Sequence, residues 1–266
     1  MSARPHVLLT NDDGVDAVGI RAMYQMLAQR CDVTVVAPAT DQSSVGRQLS
    51  WDLDVTQHRW GYEVDGTPAD CVVAGLELLC PEVDAVVAGC NKGANLGAYV
   101  LGRSGTVSAA VEAAFFEVPA MAVSMYVPGG GAVPWQEQAS DPGVFVEATS
   151  AACYLLEAPL EELVPPGGYL NINAPIATEP GRPTAPVEIT EPSTWYAMTA
   201  RSAEDGAIHL HDAVWEQMRS GEVPDTAGTD RRAVMEGRIS VSPLSAPHTP
   251  EGTQRLAGVV DAYDPS

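Results

Sequence analysis

Basic residues are scarce in this sequence. Only 14 residues are lysine or arginine, against 35 that are aspartate or glutamate, and the formal net charge at pH 7 is −21. The one lysine is Lys92. A protein that binds duplex nucleic acid needs many basic side chains to neutralise the phosphates. The composition therefore predicts that duplex nucleic acid is not a partner, although it allows a single nucleotide at one focused site.

Long apolar runs are also lacking. None approaches the ~18 residues of a membrane span, and the segment from Met1 to Pro5 is too short for a signal peptide. The number of cysteines is odd and their spacing is not that of a metal site, which indicates small core side chains in a reducing compartment. They are Cys31, Cys71, Cys80, Cys90 and Cys153. We therefore expect a cytoplasmic protein without a membrane partner.

Motifs of several other enzyme classes are missing. The turn after the first apolar run reads Asn-Asp-Asp-Gly instead of Gly-x-Gly-x-x-Gly, which argues against a nicotinamide or flavin enzyme. The same turn lacks the Asp-x-Asp of haloacid-dehalogenase-type phosphatases, and the chain has no P-loop. A serine hydrolase is a rival because Gly102 to Gly105 resembles a nucleophile elbow. Thr106, however, stands where that motif requires its second glycine.

Short apolar runs alternate with amphipathic segments in the first two thirds of the chain. The runs predict buried parallel strands at Val7 to Thr10, Val33 to Ala37, Asp84 to Ala88, Pro119 to Met125 and Tyr169 to Asn173. Helical spacing of apolar residues predicts helices at Gly19 to Gln29, Pro68 to Leu79, Val107 to Phe116 and Val144 to Leu156. This alternation predicts a Rossmann-like three-layer α/β/α fold with a mostly parallel sheet.

The pattern changes beyond Pro175. Prolines, short β-prone runs and one helical segment near Asp212 to Met218 predict an excursion outside the main sheet. We accordingly divide the chain into an α/β core at residues 1–175, a β-rich and helical excursion at residues 176–236, and a return segment at residues 237–266.

Two adjacent carboxylates, Asp12 and Asp13, follow the first predicted strand. Open α/β sheets place their ligands beyond the carboxyl ends of the strands. Two neighbouring carboxylates repel each other and burial raises their pKa values, a cost that a divalent cation such as Mg²⁺, Mn²⁺ or Ca²⁺ removes. A solvated Asx turn is the more ordinary interpretation of such a string. Its position at a strand end favours a metal site.

Two further strand ends offer oxygen ligands. Ser43 lies in the polar segment from Ala39 to Arg47, just past the second predicted strand, and Asn91 follows the third. A neighbour of Ser43, either Asp41 or Ser44, is an equal candidate, and an ordinary polar loop is the alternative interpretation of this segment. Together the three strand ends predict a cation site built from carboxylate, hydroxyl and amide oxygens.

A stretch rich in glycine and asparagine, from Gly89 to Gly97, predicts a loop whose backbone closely approaches a ligand. It leads to a helix for which Ser104 is a suitable N-cap. The backbone N–H groups of Gly105, Thr106 and Val107 would then suit a phosphate, although simple capping by Ser104 is the alternative. A metal beside such an anion site, without a basic face, indicates hydrolysis of a phosphate ester on a small substrate.

Several short strings, spread over nearly the whole chain, carry a family resemblance. They are Leu9-Thr10-Asn11-Asp12-Asp13-Gly14, Gly66-Thr67-Pro68-Ala69-Asp70-Cys71, Asn95-Leu96-Gly97, Ser104-Gly105-Thr106-Val107, Leu170-Asn171-Ile172-Asn173, Thr229-Asp230 and Ser240-Val241-Ser242-Pro243-Leu244. Each string alone is weak. Together and in this order they closely resemble the SurE family of survival-protein nucleotidases.

The resemblance implies a phosphomonoesterase that uses one divalent cation per subunit, Mg²⁺ or Mn²⁺ with Ca²⁺ as a substitute in crystals, to hydrolyse nucleoside 5′- and 3′-monophosphates. It assigns the metal ligands to Asp12, Asp13, Ser43 and Asn91, and one of the two aspartates also orients or deprotonates the attacking water. The substrate contacts expected with it are Asn11, Asn95, Ser104, Gly105 and Thr106. It also implies a homodimer or homotetramer formed through a C-terminal β-hairpin.

The chain departs from the family pattern on the expected substrate side. Gln42 to Gly46 stands where family members usually read Arg-Ser-Gly-Ala-Ser, and Lys92 replaces a small or neutral residue. The stretch between Gly97 and Ser104 usually carries acidic residues in the family, and in this chain it ends in Arg103. We hypothesise that Lys92 and Arg103 contact a second anionic group of the substrate; the alternative is that both are solvated. Two other functions stay open: a phosphatase specialised for a non-nucleotide metabolite, and a nucleotide-binding homologue without catalysis.

Overall fold

The protein is built on a large, mostly parallel sheet. The computed structural model describes residues 4–128, 139–164, 166–202 and 206–247. In those residues the strands are β1 (His6–Thr10), β2 (Asp32–Pro38), β3 (Val55–His58), β4 (Gly61–Val64), β5 (Ala85–Lys92), β6 (Ala120–Tyr126), β7 (Gly168–Pro175), β8 (Val187–Ile189), β9 (Met198–Ser202), β10 (Ile208–Asp212) and β11 (Ile239–Ser245). Nine of them form one sheet in the order β3-β4-β2-β1-β5-β6-β7-β11-β8, and β9 pairs with β10 outside it.

The strand directions bring the predicted site residues to one edge of this sheet. Strands β4, β2, β1, β5, β6 and β7 are parallel to one another, whereas β3 and β11 run antiparallel to β4 and β7. Strand β1 lies between β2 and β5, so the chain segments that follow these three strands are neighbours. The strand order reverses at β1, which is where open α/β sheets bind their ligands.

Helices cover both faces of the sheet. They are α1 (Val18–Leu27), α2 (Pro68–Ala74), α3 (Ala98–Leu101), α4 (Gly105–Phe115), α5 (Val146–Leu155), α6 (Leu160–Leu163), α7 (Val214–Ser220) and α8 (Asp230–Met235), with a π-helical turn at Gly75–Leu79 and a 3₁₀ turn at Pro142–Phe145. Parallel neighbours need crossover connections, and α1, α2 and α4 supply them for the central strands.

Strand β1 shows how the two cores form. Its side chains alternate across the sheet, so Val7 and Leu9 pack with Ile20 of α1 in one apolar cluster, whereas Leu8 packs with Val72 of α2 in the other. All five side chains are buried. The result is the predicted three-layer α/β/α arrangement with a mostly parallel sheet, which is confirmed.

Two features differ from the sequence-based expectations. Strand β5 does not end at Ala88 but continues to Lys92, and its register with β6 shifts between Ala88 and Asn91. A Cβ on Gly89 would lie 2.2 Å from the Val123 carbonyl oxygen, so the glycine allows β5 and β6 to remain close here. Pairing with β6 thus overrides the low strand propensity of the Gly-Cys-Asn stretch.

The segment after Pro175 does not leave the main sheet entirely. Strand β8 lies at the sheet's edge, parallel to β11, before the chain continues into the β9–β10 hairpin. Strand β11 lies in the described part of the return segment, residues 237–247, and residues 248–266 lie outside the described residues. The boundary at residue 176 stays a prediction.

All five cysteines are buried and free, as the sequence predicts. Within the described ranges, no helix combines the length and the apolar character that crossing a bilayer requires. Buried thiols act as small apolar side chains in this fold.

Candidate active site

Asp12 lies in the turn after β1 and points at the start of α4. Its Oδ1 accepts a hydrogen bond of 2.6 Å from the hydroxyl of Thr106, and only 5% of the residue is exposed. A Cβ on Gly105 would lie 2.8 Å from the Cβ of Asp12, so a glycine is needed at this contact. Burial raises the pKa of Asp12 to about 6, the Thr106 hydrogen bond opposes the rise, and the charge of Asp13 adds to it.

Asp13 points to the neighbouring strand. Its Oδ2 accepts a hydrogen bond of 3.0 Å from the backbone N–H of Lys92, at the end of β5. Burial raises the pKa of Asp13, the hydrogen bond from Lys92 opposes this, and the nearby charge of Asp41 raises it further. The two adjacent carboxylates therefore contact α4 and β5 respectively, both at the same edge of the sheet.

Asn11 shapes the turn that carries these carboxylates. Its Nδ2 donates to the carbonyl oxygen of Gly14, at 2.9 Å, and the residue is fully buried. Gly14 has a φ of +99°, a conformation that favours glycine. Asn11 therefore supports the backbone of the turn, and its predicted contact with the substrate stays a prediction.

The loop after β2 brings Ser43 to the first turn. The backbone N–H of Gln42 donates to the carbonyl oxygen of Asp12 at 2.7 Å, which ties the loop to that turn. The hydroxyl and the backbone N–H of Ser43 both donate to Oδ1 of Asp41, at 2.6 and 2.8 Å. Ser43 is thus placed beside Asp12, with its hydroxyl oriented by Asp41.

The N-terminus of α2 holds the far end of the same loop. Thr67 and Asp70 form a capping box, as the sequence predicts. The Thr67 hydroxyl also donates to the Gln48 carbonyl oxygen at 2.7 Å, and Oδ1 of Asp70 accepts from the Ser50 N–H at 2.8 Å. One cap therefore starts the helix and also fixes the segment that carries Ser43.

Asn95 is held by a buried polar network that connects the loop after β5 to strands β6 and β7. Its side chain donates to the Ser124 hydroxyl on β6 at 2.9 Å, and its backbone N–H donates to Asn173 on β7 at 2.8 Å. Its carbonyl oxygen accepts from the amides of both Asn171 and Asn173. Sequence reasoning did not assign this role to the two β7 asparagines, although polar residues that alternate within a buried strand were a signal for it.

Most of the predicted site residues share one cavity. It has a volume of about 270 Å³, and its lining includes Asp12, Ser43, Asn91, Lys92, Asn95, Arg103 and Ser104. The Nδ2 of Asn91 donates to the Gly93 carbonyl oxygen at 2.6 Å. The predicted residues Gly105 and Thr106 are buried behind Asp12, and the Thr106 hydroxyl donates to that carboxylate.

Known proteins resemble this chain over nearly its full length. A family model described as "Survival protein SurE" matches residues 7–199. The chain belongs to the SurE family. The "5'-nucleotidase SurE" of Haloquadratum walsbyi is 59% identical over 265 residues, which cover 99% of this chain and 98% of that protein. The protein of the same name from Natronomonas pharaonis is 57% identical over 259 residues, covering 97% and 99%.

A solved SurE structure supports the fold. The crystal structure of the SurE protein from Aquifex aeolicus matches this structure with a TM-score of 0.76 and 28% sequence identity. The match covers 97% of this chain and 100% of that one. The family resemblance read from the sequence is therefore confirmed over nearly the full length.

The donor atoms of this SurE site suit a hard divalent cation. Among the described residues, no group of three or more histidine, cysteine or acidic side chains could hold a metal ion. The candidate set instead combines the carboxylates of Asp12 and Asp13 with oxygens of Ser43 and Asn91. Burial raises the pKa values of both carboxylates, and a cation favours their charged form. These residues fit Mg²⁺ or Mn²⁺ by their chemistry.

Trp215 is a cavity residue that sequence reasoning missed. It lies on α7, more than 100 residues from the other residues of this SurE site, and lines the same cavity as Asp12. The sequence showed only one aromatic residue in an isolated helical segment. Its placement depends on how the excursion folds back over the sheet edge.

Proposed function

We propose that this protein is a divalent-metal-dependent phosphomonoesterase that hydrolyses nucleoside 5′- and 3′-monophosphates. The observation that carries the proposal is the cavity beside the start of α4, where Asp12, Ser43, Asn91 and Asn95 converge. Relatives that are 59% and 57% identical over nearly the full length carry the name 5'-nucleotidase. An anion-binding helix terminus next to hard oxygen ligands supports phosphate ester chemistry.

One divalent cation per subunit, Mg²⁺ or Mn²⁺, would be held by Asp12, Asp13, Ser43 and Asn91. Such an ion polarises the phosphoryl oxygens and lowers the pKa of bound water. The Thr106 hydroxyl and the N–H of Lys92 each donate to one carboxylate, so both ligand side chains are fixed in orientation. This preorganisation supports the assignment.

The phosphate would bind between Asn95 and the N-terminus of α4. The Ser104 hydroxyl accepts the Val107 N–H at 3.1 Å, which caps the helix and leaves the hydroxyl at the cavity wall. The backbone N–H of Gly105 belongs to the same helix terminus, whose partial positive charge favours an anion. Thr106 would act on the site indirectly, through its hydrogen bond to Asp12.

Asp12 is the better placed of the two aspartates to contact the attacking water. It lines the cavity, whereas Asp13 does not appear in the lining and directs Oδ2 at the backbone of β5. A carboxylate in reach of a water can orient it and accept its proton. We therefore assign the water contact to Asp12.

Lys92 and Arg103 would contact a second anionic group in any phosphate ester that carries one. Both line the cavity, and the Arg103 guanidinium lies 3.8 Å from the centre of the Tyr99 ring, which fixes its position. Tyr99 stacks in turn on Tyr196 at 4.8 Å. A cation held on an aromatic pair is presented to the cavity in one orientation.

The β9–β10 hairpin would join copies of this chain into a homodimer or homotetramer. Ile208 and Leu210 of β10 are 69% and 73% exposed, which is unusual for large apolar side chains on one short strand. The five buried free thiols support a reducing compartment, the cytoplasm, for this assembly. Light scattering coupled to gel filtration tests the assembly.

Phosphate release tests the proposed activity. A panel of nucleoside 5′- and 3′-monophosphates is incubated with Mg²⁺ or Mn²⁺, with an EDTA control and the Asp12→Asn variant. We expect release only with metal and only from the unchanged chain. Binding without release would indicate a non-catalytic homologue. Release from sugar or antibiotic phosphates but not from nucleotides would indicate a specialised phosphatase.

A further inference from the structure

A second cavity adjoins the one that contains Asp12. Its volume is about 380 Å³, and the two cavities share a wall that includes Lys92 and Trp215. The second cavity is completed by Tyr126, Val127 and Arg219. Its lining is thus aromatic and apolar with two cations, whereas the first cavity also has two cations but adds one carboxylate, two amides and three hydroxyl groups.

Packing of α7 holds Trp215 in this wall. Val214 and Met218, on the same helix, are 3% and 4% exposed and belong to a cluster with Leu96 and Tyr126. Trp215 packs against the same cluster but remains half-buried, so part of its indole surface is available to a ligand. A large aromatic surface held by its neighbours loses little conformational entropy when it binds.

The charges around the opening differ from those of the chain as a whole. Lys92, Arg103 and Arg219 line the two cavities, in a protein whose formal net charge is −21. Basic side chains concentrated at one opening focus the local potential and favour an anion there. The pair of cavities therefore combines an anion site with an adjacent aromatic wall.

We propose that the second cavity is the nucleoside subsite, in which the base stacks on Trp215 while the phosphate occupies the cavity of Asp12. The proposal rests on the proposed function, because a nucleoside monophosphate carries an anionic group and a flat aromatic group at opposite ends. Stacking on an aromatic side chain tolerates every base, since each base has a π-face. The subsite thus selects nucleotides over phosphate esters without a base and discriminates weakly among bases.

The test compares substrates with and without a base. Trp215→Ala, Trp215→Phe and the unchanged chain are assayed on adenosine 5′-monophosphate and on ribose 5-phosphate. Where ribose 5-phosphate is turned over too slowly, its inhibition constant against the nucleotide replaces its KM. Trp51→Ala is the matched control, since Trp51 is 96% exposed. Circular dichroism and melting temperature check that each variant is folded.

Loss of a stacking side chain weakens base binding by about 10- to 100-fold. We therefore expect Trp215→Ala to raise the KM for the nucleotide by about that factor, to leave the constant for ribose 5-phosphate within about twofold, and to be largely rescued in Trp215→Phe. The nucleoside product should inhibit the unchanged chain and lose this effect in Trp215→Ala.

If a folded Trp215→Ala variant binds both substrates more weakly by the same factor, Trp215 serves only the fold. If the constants for both substrates are unchanged, the base lies elsewhere. Either result overturns the subsite while leaving the phosphatase function intact. Failure of the unchanged chain to release phosphate from any nucleotide is a different result, and it overturns the proposed function itself.

Discussion

The Thr106 hydroxyl lies 2.6 Å from Oδ1 of Asp12, so the second residue of α4 supports a carboxylate at the end of β1. Both residues are buried, and the contact joins α4 to the turn after β1 at the candidate site. A hydrogen bond to a charged group is worth about 1.5–3 kcal/mol. We therefore expect Thr106 to position Asp12, while its predicted contact with the substrate stays a prediction.

Replacing Thr106 by valine tests this role. Thr106→Val removes the hydroxyl at similar volume, and we expect kcat to fall about 10- to 100-fold with a smaller change in KM, since one charge-assisted hydrogen bond is lost. The measurement is steady-state phosphate release. Thr149→Val is the matched control, because the Thr149 hydroxyl is also buried in a helix but donates to the Phe145 carbonyl oxygen. A similar loss of kcat in both variants would contradict the positioning role.

Removing one candidate metal ligand should abolish stabilisation by metal. We expect Mn²⁺ or Mg²⁺ at about 100 times its dissociation constant to stabilise the unchanged chain by about 2.7 kcal/mol. The same ions should not stabilise Asp12→Asn or Asp13→Asn. Differential scanning calorimetry with and without EDTA measures the shift. Asp16→Asn, an exposed aspartate in the same segment, should keep the response, and a metal response that survives in the Asp12 and Asp13 variants would exclude this site.

Gly97 is required because Arg231 lies directly above it. A Cβ at this position would lie 2.1 Å from Nη2 of Arg231, and Gly97 has a φ of +81°. We expect Gly97→Ala to destabilise the protein by about 2–4 kcal/mol through overpacking and backbone strain. Urea unfolding measures the effect. Gly102→Ala is the control, since Gly102 has a φ of −71° and a Cβ there meets no atom within 4 Å. Gly102→Ala should leave the free energy of unfolding almost unchanged. An equal decrease in both variants would reject the steric explanation.

High salt should stabilise this acidic chain. With a formal net charge of −21, like charges repel in the folded state, and the Debye length falls from about 10 Å at 0.1 M salt to about 3 Å at 1 M. We expect the melting temperature at pH 7 to rise by several degrees over this range of sodium chloride. Screening predicts a rise that is steepest at low salt, whereas a strictly linear rise would indicate a general salting-out effect.

The sequence by itself determined which central strands and helices form and their order along the chain. Apolar runs such as Val7 to Thr10 leave few alternatives to a buried strand, and the capping residues Thr67 and Ser104 mark helix starts by local chemistry alone. Asp12 and Asp13 follow from the same logic, because any residue just past a parallel strand lies at the ligand-binding edge. These features depend on contacts between residues that are close in sequence.

Tertiary structure decided the features that depend on distant contacts. The extension of β5 to Lys92 depends on pairing with β6, and the position of β8 depends on a register with β11, whose paired residues come 52 positions later. The role of Thr106 likewise depends on the contact between α4 and the turn after β1.

Trp215 is the clearest example of such a distant contact. Its own sequence neighbourhood shows one aromatic residue in a short helix, and only the packing of α7 on Tyr126 and Leu96 brings it to the cavity of Asp12. Local propensities and residue spacing determine which helices and strands form and which polar side chains lie at their ends. The shape of the substrate pocket depends on side chains that approach from far along the chain, and only the folded packing determines which of them arrive there.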